Sequence, residues 1–202
     1  ADSGAVEGTL NIQNGDAFLS GDGSVGAVNV APNGFLSLGG DVTIQGDLDG
    51  LGAVALNGGR VLGSTTLCSN LHYQDPSTEF HGSLTTKGYM SARFTDQRFG
   101  GDVTVQGSTH VEIRGTSEVA GTLRVREQGS VMLFVHSADV PAGFLQGTSG
   151  VFQALDSNGD PVLYSYERDP GASILVVRAD DPASTTVCTQ SLPNSTGAPG
   201  HT

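Results

Sequence analysis

Gly39-Gly40-Asp41-Val42-Thr43-Ile44-Gln45-Gly46 returns as Gly100-Gly101-Asp102-Val103-Thr104-Val105-Gln106-Gly107, 61 residues further on, with seven of eight positions identical. Recurrence of this kind marks a stacked architecture, in which each unit buries its apolar face against the next. Inside each copy the apolar residues alternate, Val42 with Ile44 and Val103 with Val105, and then stop at glycine. Period-two alternation means a short strand with one buried face. If a coil takes about 20 residues, 61 residues make three coils, a rise of roughly 14 Å at the usual strand spacing.

The same texture runs outward from both copies. Val28 and Val30 precede Asn33-Gly34, Leu36 and Leu38 precede Gly39-Gly40, and Val54 and Leu56 precede Asn57-Gly58-Gly59. Later, Val111 and Ile113 precede Gly115, Leu123 and Val125 precede Gly129, and Val131, Leu133 and Val135 form a longer strand. Residues 1–63 hold 15 of the 30 glycines without a collagen period, which suits tight turns between strands. Helical periodicity is almost absent. The predicted fold is all-β, a parallel β-solenoid (β-helix), with a β-sandwich of the same short strands as the alternative.

Two regions depart from the pattern. Residues 64–99 are rich in polar, aromatic and charged side chains and read as a looped-out insertion, or as coils with long turns on one face. After Pro141, Val151-Phe152-Gln153-Ala154-Leu155 and Val162-Leu163-Tyr164-Ser165-Tyr166 flank Asn158-Gly159, the pattern of a β-hairpin, and Ile174-Leu175-Val176-Val177 reads as a third strand. The expected organisation is a solenoid over 1–139 with the insertion at 64–99, an antiparallel β cap over 140–182, and a Ser/Thr/Pro/Gly-rich tail over 183–202.

The net charge is −12, and residues 1–59 carry seven acids with no Lys or Arg. Such a surface repels phosphate backbones, which excludes nucleic acid as a partner class. It leaves calcium as a conceivable cofactor without specifying a ligand set. No run of 18 apolar residues predicts a membrane span. The start Ala1-Asp2-Ser3 suits a mature secreted chain, and equally a boundary drawn within a longer one. In an oxidising compartment Cys68 and Cys188 are expected to pair, closing a loop of about 120 residues worth roughly 4–5 kcal/mol; the alternative is two buried thiols.

The stretch Gly23-Ser24-Val25-Gly26-Ala27-Val28-Asn29-Val30-Ala31-Pro32-Asn33-Gly34-Phe35-Leu36-Ser37-Leu38-Gly39-Gly40 resembles the passenger repeats of autotransporter adhesins and related secreted bacterial β-solenoids. Val42 to Leu48 is similar to bactofilins, the cytoskeletal β-helix polymers. The stretch from Cys188 to Asn194-Ser195-Thr196-Gly197 is similar to a junction in large secreted bacterial proteins. These resemblances imply export and a surface role, and they transfer no catalytic residue.

No constellation specifies a chemistry. His72, Asp75, Glu79 and His81 fit no compact zinc spacing and read as a polar loop. Glu79, Lys87, Arg93, Asp96 and Arg98 would be the candidates for a β-helix lyase of acidic polysaccharides, but carboxylate separation is not encoded in spacing. Asp156-Ser157-Asn158-Gly159-Asp160 has its glycine out of register for a calcium loop and reads as a turn. Asn194-Ser195-Thr196 is a formal glycosylation sequon. The aromatics Tyr73, Phe80, Tyr89, Phe94 and Phe99 could form a sugar-stacking platform, but in a chain without Trp they read as core under the insertion; Tyr73, Tyr89 and Arg93 are the candidate glycan-binding residues. The expected function is therefore non-enzymatic: an extracellular or cell-surface structural protein that self-associates into a filament, matrix or surface layer through strand edges and terminal arms, residues 5–12 being one arm. A glycan-binding adhesin or phage-fibre-like module is the second reading, and a polysaccharide lyase or hydrolase the third.

Overall fold

The structure, a computed structural model, describes residues 4–68, 71–74 and 78–178, with 71–74 described by backbone alone. It is all-β. Its strands are β1 (Ala5–Leu19), β2 (Ser24–Ile44), β3 (Leu48–Gly50), β4 (Ala53–Val61), β5 (Thr65–Leu67), β6 (Leu71–Gln74), β7 (Glu79–Phe80), β8 (Leu84–Thr86), β9 (Ser91–Thr95), β10 (Arg98–Phe99), β11 (Val103–Val105), β12 (His110–Arg114), β13 (Glu118–Val119), β14 (Thr122–Val125), β15 (Ser130–Val135), β16 (Ser137–Ala138), β17 (Gly143–Phe144), β18 (Ser149–Leu155), β19 (Pro161–Arg168) and β20 (Ser173–Arg178).

The chain winds as a β-solenoid with three parallel walls. The first wall stacks Val28, Leu48, Thr65, Leu84, Val103, Leu123 and Tyr166 in register. The second runs through β9, β12, β15 and β20, with Ala92, Val111, Val131 and Ile174 in one column. The third stacks Ile44, Val61, Phe80, Phe99 and Val119. Period-two alternation sends one residue of each pair inward, so these columns fill the interior and are buried. Phe80 stacks on Phe99 at 5.5 Å, and Phe94 meets both edge-on at 6.1 and 5.3 Å. The three phenylalanine rings are core as expected, whereas Tyr89, expected in the core with them, lies at a corner with its ring in solvent.

The corner between the third and first walls is a column of glycines: Gly26, Gly46, Gly63, Gly82, Gly101 and Gly121. A Cβ on Gly63 would lie 2.5 Å from both C and O of Gly46, and one on Gly121 would lie 2.7 Å from C of Gly101. Here glycine is required by close approach of backbone to backbone. The side chain that follows seals the same corner. Asp47 Oδ1 accepts from Ser64 N at 2.7 Å, and Asp102 Oδ1 accepts from Thr122 N at 2.8 Å. Another corner is closed from inside: Thr78 Oγ1 accepts from Gly58 N at 3.1 Å and Ser117 Oγ from Gln97 N at 3.0 Å.

Three sequence expectations need correction. Residues 64–99 are not looped out, because β5, β7, β8 and β10 pair with the rungs on either side. Their outward positions are polar, which disguises the coil, while Leu67, Phe80, Leu84 and Phe94 still point inward. The 61-residue echo does not stack on itself. Thr43 and Ile44 lie on the third wall, whereas Val103 and Val105 lie on the first. A coil takes 17 to 20 residues here, since Val28 pairs with Leu48 and Leu48 with Thr65. Finally, residues 5–12 are not a projecting arm. They begin the first rung and pair along β2, from Ala5 with Ser24 to Ile12 with Val30.

At the C-terminal end the chain leaves the coil after β16 and returns as an antiparallel cap. β18 pairs with β19, and β17 pairs with β20 through Gly143 with Val176. The turn is closed by Asp156 Oδ1, which accepts from Asn158 N at 2.8 Å and Asp160 N at 2.9 Å, with Gly159 at φ 86°. Phe152, Tyr164 and Tyr166 fold over the last rung, and Tyr164 Oη donates to Ser117 O at 2.7 Å. Cys68 is half-buried and unpaired, and burial raises its thiol pKa. Cys188, the rest of the tail and the sequon lie outside the described residues.

Candidate functional site

The outward faces are organised by ion pairs between rungs. Arg60 Nε lies 3.1 Å from Glu79 and Arg98 Nη2 lies 3.0 Å from Glu118, both on the third wall. On the second wall Arg93 Nε donates to Glu112 Oε2 at 2.6 Å and Arg114 Nε donates to the same oxygen at 3.0 Å. Burial alone would raise the Glu112 carboxyl; the hydrogen bond from Arg93 and the charge of Arg114 hold it below its ordinary value. The Arg114 guanidinium also sits 3.8 Å above the Phe134 ring. Lower on the first wall Arg124 pairs with Asp102, and Arg126 reaches Glu167 at 2.7 Å and Asp169 at 3.1 Å.

These pairings account for most sequence-nominated lyase residues. Glu79 serves Arg60 and His81, and Asp96 Oδ1 accepts from Thr116 N at 2.8 Å. Arg93 and Arg98 each face a carboxylate one rung away. The five candidates are divided between the second and third walls and their corners instead of converging. Among the described residues no group of three or more His, Cys, Asp or Glu side chains gathers as a metal site. His72 is placed by backbone alone and Asp75 lies outside the described residues.

The glycan candidates do fall on one part of the molecule. The backbone of Tyr73 is in β6, which lies against β9, the strand of Arg93. Tyr89 stands at the corner leading into β9 and is 87% exposed. Arg93, however, is engaged by Glu112.

The two ends of the coil differ most. At the C-terminal end β18 and β16 continue the first wall and β17 the second, while β13 is the last described strand of the third. At the N-terminal end, β1 pairs with β2 on one side, and among the described residues no strand lies on the other. Val6 is 56% and Phe18 70% exposed there. They border a cleft of about 360 Å³, lined also by Leu19, Asp22, Val25 and Val42. Glu7, Asp16, Asp22 and Asp41 are all exposed on the first two rungs. Sequence reading missed Phe18, whose neighbours Ala17 and Leu19 take the inward positions of an Ala-Phe-Leu triple and leave the ring outside.

No helix among the described residues is long and apolar enough to cross a membrane. No family model, no curated protein and no solved structure matches this chain.

Proposed function

We propose that the chain is an exported structural module, rigid and without catalysis of its own, that assembles by strand addition at its N-terminal rung, with copies of itself as one partner. The observation that supports this is the asymmetry of the ends. An edge that no described strand pairs, with Val6 and Phe18 exposed, is a template for another strand, whereas the other end carries its own antiparallel cap. A head-to-tail filament needs an open edge at both ends. Self-association through the N-terminal rung alone instead joins two copies about a two-fold axis and stops. Because the first rungs are acidic, the pair forms best where salt screens them.

Sedimentation velocity at low and high ionic strength tests the reading. The expected result is a monomer–dimer equilibrium that strengthens with salt and is lost in Phe18→Asp. A protein that stays monomeric under all conditions, or a Phe18→Asp variant that still dimerises, contradicts it. The glycan-binding reading keeps one supporting observation, the exposed ring of Tyr89 beside the Arg93 wall. A glycan array read for the native protein and for Tyr73→Ala, Tyr89→Ala and Arg93→Ala variants tests it.

A further inference from the structure

The N-terminal cleft carries a second kind of information, which rests on the strand-addition reading. Five of its walls are apolar: Val6, Phe18, Leu19, Val25 and Val42. Beside them stand three polar residues, Ser20, Ser24 and Asp22, of which Asp22 supplies a carboxylate. An apolar slot with an acid on its lining fits a side chain with an aliphatic stem and a cationic tip. The surroundings have the same sign. Residues 4–59 contain Glu7, Asp16, Asp22, Asp41, Asp47 and Asp49, and no Lys or Arg. All six are exposed. Elsewhere on the coil, acids and arginines pair rung by rung, as Glu79 does with Arg60 and Glu112 with Arg93. The first rungs present a run of carboxylates with no cationic side chain of their own segment to answer them.

A second copy brings the same acids to the edge and is repelled. We therefore propose that at low ionic strength the preferred occupant of the N-terminal rung is an extended, cationic segment of another protein. Its backbone adds to β1 as a strand, and one Lys or Arg stem fills the cleft with its charge at Asp22. Backbone pairing supplies affinity, and alternate side chains supply the selection.

The test uses the full chain and a fluorescein-labelled octapeptide alternating lysine with valine. Its controls are a glutamate–valine octapeptide and a lysine–valine peptide N-methylated at alternate residues, which keeps the charge but cannot pair as a strand. Saturable binding is expected for the lysine peptide alone, weakening steadily with added salt, the opposite sign to self-association. Asp22→Lys and Phe18→Ser, both at exposed positions, are each expected to weaken it by roughly tenfold while leaving the thermal unfolding midpoint unchanged. If the glutamate peptide binds equally well and N-methylation still blocks it, strand addition stands and the charge assignment is overturned. If the N-methylated peptide binds as well as its parent, both readings fail. A tight dimer at low salt that excludes the peptide makes a second copy the occupant and overturns the proposal. Binding unaffected by both variants places the site elsewhere and overturns it as well.

Discussion

Replacing Gly63 by alanine isolates the glycine column from every other feature of the coil. The added Cβ would meet C and O of Gly46 and Oδ1 of Asp47, each at 2.5 Å, whereas ordinary contact begins at 3.4 Å. The shortfall is 0.9 Å, and two of the three atoms are backbone of the adjacent rung. Rungs lie about 4.8 Å apart, so relief means opening the gap locally by up to a fifth. That strains Leu62 N to Ile44 O at 2.9 Å, Gly63 N to Gly46 O at 3.2 Å and Ser64 N to Asp47 Oδ1 at 2.7 Å. Loss of one or two such bonds at about 1 kcal/mol each, with overpacking strain of about 1–3 kcal/mol, gives a cost near 3 kcal/mol. At roughly 2–4 °C per kcal/mol for a chain of this size, the melting midpoint falls by roughly 6–12 °C. Gly39 is the matched control. A Cβ there meets Asn57 O at 3.7 Å and Cβ at 3.8 Å, ordinary contact. Gly39→Ala is expected to be neutral or to stabilise by about 0.5 kcal/mol through the unfolded chain. Far-UV circular dichroism melts of the two variants decide the matter. Equal midpoints would refute the claim that backbone contact across the corner requires glycine.

Glu127 is an exposed residue at φ 57°, and Glu127→Gly is expected to stabilise by about 1 kcal/mol, read as a higher denaturant midpoint at constant slope. Phe99→Ala removes the centre of the aromatic cluster and is expected to cost about 3–5 kcal/mol, while Arg98→Ala beside it, on the solvent side, shifts stability by at most about 0.5 kcal/mol; urea titrations compare the two. Acid is expected to weaken the fold in two stages. Burial holds His110 below its ordinary 6.5, so as pH falls past that value the unfolded chain takes up the proton first and stability declines. A hydrogen bond from Thr122 N, aided by Arg124, lowers Asp102, and Glu112 is likewise lowered. Their contribution is complete above the ordinary carboxylate range and is lost as pH falls through their folded values. His110→Gln should remove the first stage and leave the second, read as melting midpoints against pH.

The alternation of Val42 with Ile44 and of Val103 with Val105 was enough to establish one-sided strands, short at β11 but at residues 42–44 the end of the 21-residue β2, and Asn158-Gly159 between apolar runs was enough for the hairpin. The stacking register was harder to read. The true repeat is an apolar residue, a variable residue, glycine, a small polar residue and a wall residue. It runs through Ile44-Gln45-Gly46-Asp47-Leu48, Val61-Leu62-Gly63-Ser64-Thr65, Phe80-His81-Gly82-Ser83-Leu84, Phe99-Gly100-Gly101-Asp102-Val103 and Val119-Ala120-Gly121-Thr122-Leu123. Its glycines lie 17, 19, 19 and 20 residues apart, and that drift hides the repeat from any fixed-period comparison. Each wall needs only an alternating pair and a turn, so the octapeptide that begins Gly-Gly-Asp-Val-Thr serves on the third wall once and on the first wall later. The polar exterior of 64–99 obscured the coil for the same physical reason. Phe80, Leu84 and Phe94 carry the core, while outward Glu79, Thr85 and Arg93 are polar and leave no apolar signal. At the N-terminal end the sequence pointed to residues 5–12 as an assembly element, but the part of Phe18 and Asp22 was not legible. Whether Phe18 is covered depends on what lies across a strand edge, and no local pattern records that.

Hydrogen–deuterium exchange along the chain, compared between dilute and concentrated protein at high salt, tests assembly at the N-terminal rung most directly. The amides of Ala5–Leu19 are expected to gain protection on concentration while those of Ser149–Leu155 in the cap stay unchanged. Protection that appears in the cap instead, or no change in β1 at concentrations where the protein associates, would contradict it.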